Sequence, residues 1–303
     1  MKKTYLTFDI ETIVSGISRS SNYLAGVYLG AMFIANELKK RELKATFYIS
    51  LSSKQKDINN NEYLEVVKWL VQSLAGYKNI KIEPHLHAFD LPMKFDCISD
   101  DFGSYSKEQQ VDMLVFAKKF FKELNIDVSS FRPGGFRRNE FYYQSLKEAN
   151  YQTSSILIKE QEPNIDMLTG GCSQSRPFTT DMGVVEYPVT SVKIKSMKGK
   201  VEVVNLSPDF FNIKSVSQYL ENLDYINVNF HSFSIYINRL IRENHFGQKQ
   251  NNIKFLFFEN ILNRLLNLGP LQLLNSNTIV KNTFVDWLDY IQTNNFETCF
   301  IGD

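Results

Sequence analysis

Tyr5-Leu6-Thr7-Phe8-Asp9-Ile10-Glu11-Thr12 is a short run of strand-forming residues that closes on two carboxylates. In an extended chain, residues two apart share a face. Asp9 and Glu11 therefore project together from the end of one strand. The pattern recurs downstream. Ile80-Lys81-Ile82 leads into Glu83-Pro84-His85-Leu86-His87-Ala88-Phe89-Asp90, with two imidazoles at the same spacing. Asn227-Val228-Asn229-Phe230-His231-Ser232 closes a late apolar run on a third histidine. Three of the chain's four histidines thus sit at strand ends, as does the acidic pair.

The segments between these runs alternate between helical and extended patterns. Val27, Ala31, Ile34 and Leu38 have helical spacing, and Ala45 to Ile49 reads as a second strand. Leu64, Val67, Leu70, Val71 and Leu74 mark another amphipathic helix. Ser106-Lys107-Glu108-Gln109 matches a capping box before a helix to about Leu124, with Val111, Leu114, Val115, Phe121 and Leu124 as its expected core face. Asn139 is placed to cap a helix to Ala149. Strands are expected at Tyr151–Ile158, Val184–Val189, Val201–Val204 and Tyr225–Phe230, and loops at residues 161–182 and 242–252. Helices are expected at Ser215–Leu223, near Phe255–Leu266 and at Phe284–Ile291. Strand–helix alternation predicts a mainly parallel sheet covered by helices. The fold class is α/β, a distorted (β/α) barrel of about seven strands, whose chemistry gathers at the C-terminal ends of the strands. No repeat, low-complexity tract or interdomain linker interrupts residues 1–303. One barrel domain is expected, with C-terminal helices from about residue 255.

A chain of 303 residues with 43% apolar content buries a sizeable core. Its net charge of +1 argues against broad capture of nucleic acid, which calls for a basic excess. Cys97, Cys172 and Cys299 are widely spaced, so a cysteine zinc knuckle is not expected. Their odd number and scatter suit a reducing compartment. Lys2 and Lys3 are not followed by an apolar region of signal-peptide length. No apolar run is long enough to span a membrane. A cytoplasmic protein is expected, with no transmembrane segment.

Two imidazoles on one strand face converge on a single cation, and a carboxylate commonly completes such a site. Zinc there lowers the pKa of a bound water to about 7. Of Asp9 and Glu11, one can ligate the metal while the other accepts a proton; spacing alone does not assign them. Free imidazole titrates near neutrality, so His231 suits protonation of a leaving amine or alkoxide. Arg132-Pro133-Gly134-Gly135 is a stiff and then flexible turn. Its arginine can hold a catalytic aspartate, and its glycines can present backbone N–H groups to an oxyanion. His245, in a polar loop, reads as a surface residue.

Together these motifs resemble the polysaccharide deacetylase (NodB-homology) superfamily of carbohydrate esterases. The resemblance runs from Leu6 to about Ser234, three quarters of the chain. It rests on Leu6-Thr7-Phe8-Asp9, Lys44-Ala45-Thr46-Phe47-Tyr48, His85 to His87, Phe131-Arg132-Pro133 and Phe230-His231-Ser232, in that order. It implies a NodB-type barrel, a divalent metal, usually zinc, and hydrolysis of an N-acetyl group on a sugar, or sometimes of another amide or ester. By this analogy Asp9 is the base, His231 the acid, and Arg132 orients Asp9. Glu11, His85 and His87 are the expected metal ligands, and Asp90 and Gly135 are expected to touch substrate. The chain departs from the common pattern. Ile10 stands where a metal-binding second aspartate is usual, and Phe89 stands four residues after His85 where a second histidine is usual. Gly134 and Gly135 replace a proline and a tyrosine. This is similar to a divergent branch with an HxH motif, found among deacetylase-like proteins of surface-polysaccharide biosynthesis. The expected function is metal-dependent deacetylation of an N-acetyl or O-acetyl sugar or polysaccharide precursor. Alternatives are an amidohydrolase acting on a non-sugar C–N bond, and a non-catalytic sugar-binding or scaffolding barrel.

Overall fold

The structure, a computed structural model, describes residues 2–12, 24–53, 60–195, 199–235 and 278–303. In chain order, β1 (Lys3–Ile10) is followed by a π-helical segment (Leu24–Gly30), α1 (Ala31–Lys40), β2 (Ala45–Ser50), α2 (Asn60–Leu74) and β3 (Ile80–Leu86). Next come α3 (Lys107–Glu123), β4 (Ser130–Pro133), α4 (Tyr142–Glu148), β5 (Thr153–Ser154), β6 (Ile165–Asp166), β7 (Gly171–Cys172) and β8 (Phe178–Thr179). The remainder is β9 (Val185–Glu186), β10 (Ser191–Lys195), β11 (Val201–Asn205), α5 (Ile213–Leu220), β12 (Tyr225–His231), α6 (Thr278–Thr293) and β13 (Glu297–Cys299).

The main sheet runs β12-β1-β2-β3-β4-β5-β9-β8 and curls as a distorted, partly open barrel. Its strands are parallel except for β8, which pairs antiparallel with β9. The open side is bridged by irregular hydrogen bonds. Thr190 N–H donates to Asn227 O at 3.0 Å, and Asn229 N–H donates to Leu206 O at 3.1 Å. A smaller sheet, β11-β10-β6-β7, packs beside the main one.

Alternation along β1 creates two different cores. Leu6, Phe8 and Ile10 point outward and join Phe47, Ile49, Phe230 and the helices in the large apolar core. The Phe284 ring of α6 stacks on Phe230 at 4.9 Å and lies 5.9 Å from Phe8. Each such buried side chain contributes about 1.5–3 kcal/mol. The intervening residues Tyr5, Thr7 and Asp9 belong to the barrel interior. At its N-terminal end Tyr5 clusters with Tyr48, Tyr187 and Tyr225. Toward the C-terminal end the interior turns polar, and that polar end carries the site.

Several expectations are corrected. Helix α3 buries Gln110, Met113, Leu114, Ala117, Phe120 and Phe121, while Val115 is exposed, because the true stripe turns with a 3.6-residue period. The capping box of Ser106 and Gln109 forms as expected. Residues 151–158 contribute only Thr153–Ser154 as a strand. Residues 161–182, expected as loop, supply β6, β7 and β8. Strand β10 pairs with β11 as an unanticipated antiparallel hairpin. Strand β13, also unanticipated, pairs with Lys3–Tyr5 on the edge of β1 that β2 occupies from Thr7 onward. The helix near Phe255–Leu266, the loop at 242–252 and His245 lie outside the described residues.

Candidate metal centre and its acid–base groups

Strand register brings the strand-end residues together. Asp9 is the ladder partner of His231 across β1 and β12. Ser50 pairs with His85, and His85 pairs with Arg132. Asp9, Glu11, His85, His87 and Arg132 are all buried.

Arg132 occupies the floor of the site and is fully enclosed. Its Nη1 donates to Asp9 Oδ1 at 2.7 Å and to Asn229 Oδ1 at 2.9 Å. Its Nη2 donates to Thr7 Oγ1 at 2.9 Å and Ser155 Oγ at 2.7 Å, and its Nε to the Ser155 carbonyl at 2.9 Å. The guanidinium lies 4.2 Å from the Tyr48 ring centre. Buried charge is tolerated because its donors are met in this way. Asn229 Nδ2 donates to the other Asp9 oxygen at 3.1 Å. Burial alone disfavours an ionised Asp9. The charge of Arg132, aided by His85 and His231, outweighs burial and holds the carboxyl below its ordinary pKa.

Glu11 is the hub of the histidines. Its Oε2 lies 3.0 Å from His85 Nε2 and 2.7 Å from His87 Nε2. Its backbone N–H donates to Ser232 Oγ at 3.2 Å, which ties the end of β1 to the residue after His231. His231 Nε2 stands 3.9 Å from Glu11 Oε1 and 3.8 Å from Asp9 Oδ2.

The other nitrogen of every ring faces an acceptor. His85 Nδ1 lies 3.0 Å from the Arg132 carbonyl, His87 Nδ1 2.7 Å from Asp100 Oδ1, and His231 Nδ1 2.7 Å from Asp209 Oδ2. A carbonyl or carboxylate only accepts, so each Nδ1 carries the proton. A neutral ring then presents its Nε2 lone pair toward Glu11 and Asp9. Lone pairs aimed at carboxylates are stable only with protons or a cation between them. Glu11, His85 and His87 offer donor atoms within 4.8 Å of one another and form a buried group able to hold a metal ion. Burial pushes the His85 pKa down, toward the neutral form that ligates. For His231, burial also opposes charge, but the hydrogen bond and charge of Asp209 win and raise its pKa.

Unlike the members of this group, the two residues expected to touch substrate are exposed. Asp90 is exposed in a left-handed conformation, φ 56°. It lines a cavity of about 430 Å³ in the 89–98 loop with Phe89 and Phe95. Gly135 is exposed at a left-handed turn, φ 59°. Its neighbour Gly134 borders the metal group, since a Cβ there would stand 2.5 Å from His87 Nδ1.

Sequence reading did not single out Asn229, Asp209 or Asp100, and it gave Gly134 an oxyanion role where the structure shows it clearing space for the His87 ring. Asn229 carries a readable signal, because it stands two residues before His231 on the same strand face. Asp209 and Asp100 sit in irregular segments, where no periodicity marks them.

No protein-family profile matches the chain, and no curated protein matches it in sequence. Solved structures do match its fold. A Mycobacterium smegmatis protein assigned as a polysaccharide deacetylase aligns over 98% of this chain and 93% of its own, at 11% identity and a TM-score of 0.50. A 4-alpha-glucanotransferase from Thermococcus litoralis aligns over 99% of this chain at 13% identity and a TM-score of 0.54. This chain spans only 39% of that enzyme. A Bordetella bronchiseptica protein assigned as a polysaccharide deacetylase of O-antigen biosynthesis aligns over 93% of this chain and 89% of its own, at 10% identity and a TM-score of 0.45. The chain thus has the barrel fold found in polysaccharide deacetylases, the superfamily its motifs resemble. That fold also houses a glucanotransferase, so activity has to be argued from the site.

Proposed function

We propose that this protein is a metal-dependent hydrolase that removes an acetyl group from an N-acetyl or O-acetyl sugar or polysaccharide precursor. The observation that carries the reading is the convergence of His85 and His87 Nε2 on one Glu11 oxygen, with Asp9 and His231 beside them. The fold likeness to a polysaccharide deacetylase supports the substrate class.

Glu11, His85 and His87 would hold the metal, and a carboxylate with two imidazoles suits zinc. Bound zinc supplies a Lewis acid and a water of lowered pKa. The rest of the chemistry belongs to this chain's side chains. Arg132 and Asn229 fix both oxygens of Asp9, and Asp9 Oδ2 takes the proton of the attacking water. Asp209 fixes His231 through Nδ1 and favours its charged form. His231 Nε2 then gives its proton to the leaving nitrogen or oxygen. The backbone N–H at Gly135 is assigned to the carbonyl oxygen as charge builds there. Asp90 is assigned to sugar hydroxyls. Burial of the site limits competing water.

Among the described residues, no helix is long and apolar enough to cross a membrane. A cytoplasmic location is part of this proposal, and the free cysteines Cys97, Cys172 and Cys299 are compatible with it. The deciding experiment combines elemental analysis with acetate release from N-acetylated and O-acetylated sugars at defined zinc loading. Zinc near one equivalent with acetate release is expected. Bound zinc with release of ammonia or another amine product from a non-sugar amide would move the reading to an amidohydrolase. Sugar binding without metal or turnover would leave a binding barrel.

A further inference from the structure

The segment that follows the histidine pair is irregular, yet tightly bracketed. Asp90 N–H donates to the Cys97 carbonyl at 2.8 Å. The buried Tyr105 hydroxyl accepts from Ser99 N–H and donates to Ser99 O, both at 2.9 Å. Asp101 Oδ1 accepts from Gly103 N–H at 2.9 Å and closes a one-turn helix at Phe102–Ser104. Between these two anchors stands Asp100. Its Oδ1 meets His87 Nδ1 at 2.7 Å, while the far nitrogen of the same ring lies 2.7 Å from Glu11 Oε2.

His87 needs such a partner more than His85 does. His85 lies within β3, and its Nδ1 is held by the backbone carbonyl of the neighbouring β4 residue Arg132. His87 stands one residue beyond β3, where no ladder fixes its ring. Gly134 clears space on one side of that ring, and the ring's rotation is then set by Asp100. The carboxylate side chain is half exposed, so it is reachable and replaceable without opening the core.

We infer that Asp100 is a positioning residue that locks the Nδ1–H tautomer and the rotation of His87, and so sets the zinc affinity of the site. This rests on the metal reading above. Partners of this kind typically change metal affinity by roughly 10–100-fold.

The test is a zinc titration of the full-length apo-protein against a chromophoric chelator, in the wild type and in D100A, D100N and D101A. D100A should bind zinc at least about 10-fold more weakly. D100N keeps an oxygen that accepts from Nδ1–H and should recover most of that loss. D101A loosens the helical turn without touching His87 and should bind like the wild type. Thermal melts of the apo-proteins accompany the titrations; the wild type, D100A and D100N should melt alike, and D101A slightly lower. Wild-type affinity in D100A would overturn the inference. So would an equal loss in D100A and D101A, which would assign the effect to loop stiffness. Failure of the wild type itself to bind zinc would instead sink the metal reading.

Discussion

The imidazole of His87 lies against the backbone of Gly134, so closely that a methyl group there would stand 2.5 Å from Nδ1 and 2.6 Å from Cε1. The turn after β4 and the histidine after β3 therefore fit only while residue 134 has no side chain. Gly134→Ala should displace the ring from Glu11 and weaken zinc binding by at least about tenfold, a loss on the scale seen when a metal-binding histidine loses its orientation. A chelator competition assay reads this directly. Unchanged affinity would mean that the turn yields and the ring does not.

Removing both rings is the stronger test of the ligand set. His85→Ala with His87→Ala should abolish bound zinc in elemental analysis and leave the far-ultraviolet circular dichroism unchanged. Wild-type stoichiometry in the double variant would eliminate Glu11, His85 and His87 as the centre.

Arg132 links stability to catalysis. Arg132→Ala strands the buried Asp9 carboxylate, and breaking such a pair costs roughly 3–5 kcal/mol, measurable by urea unfolding. The pH effect has a definite sign. Arg132 holds the Asp9 pKa down, so its loss lets burial raise that pKa. A base must be ionised to work, so the acidic limb of kcat/KM should move to higher pH. An unmoved limb would take the base role from Asp9.

His231→Ala should lower turnover by roughly 10²–10⁴-fold while zinc stays bound. Amides should suffer more than activated esters, whose leaving groups need less protonation. Equal losses on both, or departure of zinc, would make His231 a ligand or a structural residue. Asp209→Asn probes the same proton from the other side. Asp209 raises the His231 pKa, so its neutralisation should bring the alkaline limb to lower pH.

Strand β1 sits between β12 and β2, with β13 alongside. Deleting residues 1–10 should therefore prevent soluble folding. A cooperatively melting truncated protein would contradict that placement.

What the sequence conveyed was the part governed by periodicity. Asp9 with Glu11, His85 with His87, and His231 are readable because alternate residues of a strand share a face and parallel strands end together. Arg132 was readable as a turn arginine able to hold Asp9, but not as a buried hub; its five hydrogen bonds go to Thr7, Asp9, Ser155 and Asn229, which strand pairing gathers from distant segments. Asp100 and Asp209 act from irregular backbone, where side-chain direction follows tertiary bracketing and not a repeat. The same holds for β13, whose three residues are too few to carry a pattern.

The ladder between β1 and β12 joins residues some 220 positions apart, as between Thr7 and Asn229. A chain closing loops of that length meets a large entropic barrier before these contacts repay it. Until then, Phe8 lacks its ring partners Phe230 and Phe284, and an apolar strand edge stays open to other molecules. The site that joins Asp9 to His231 thus lies on a long-range seam, the kind of pairing that forms late and leaves strand edges exposed until it does.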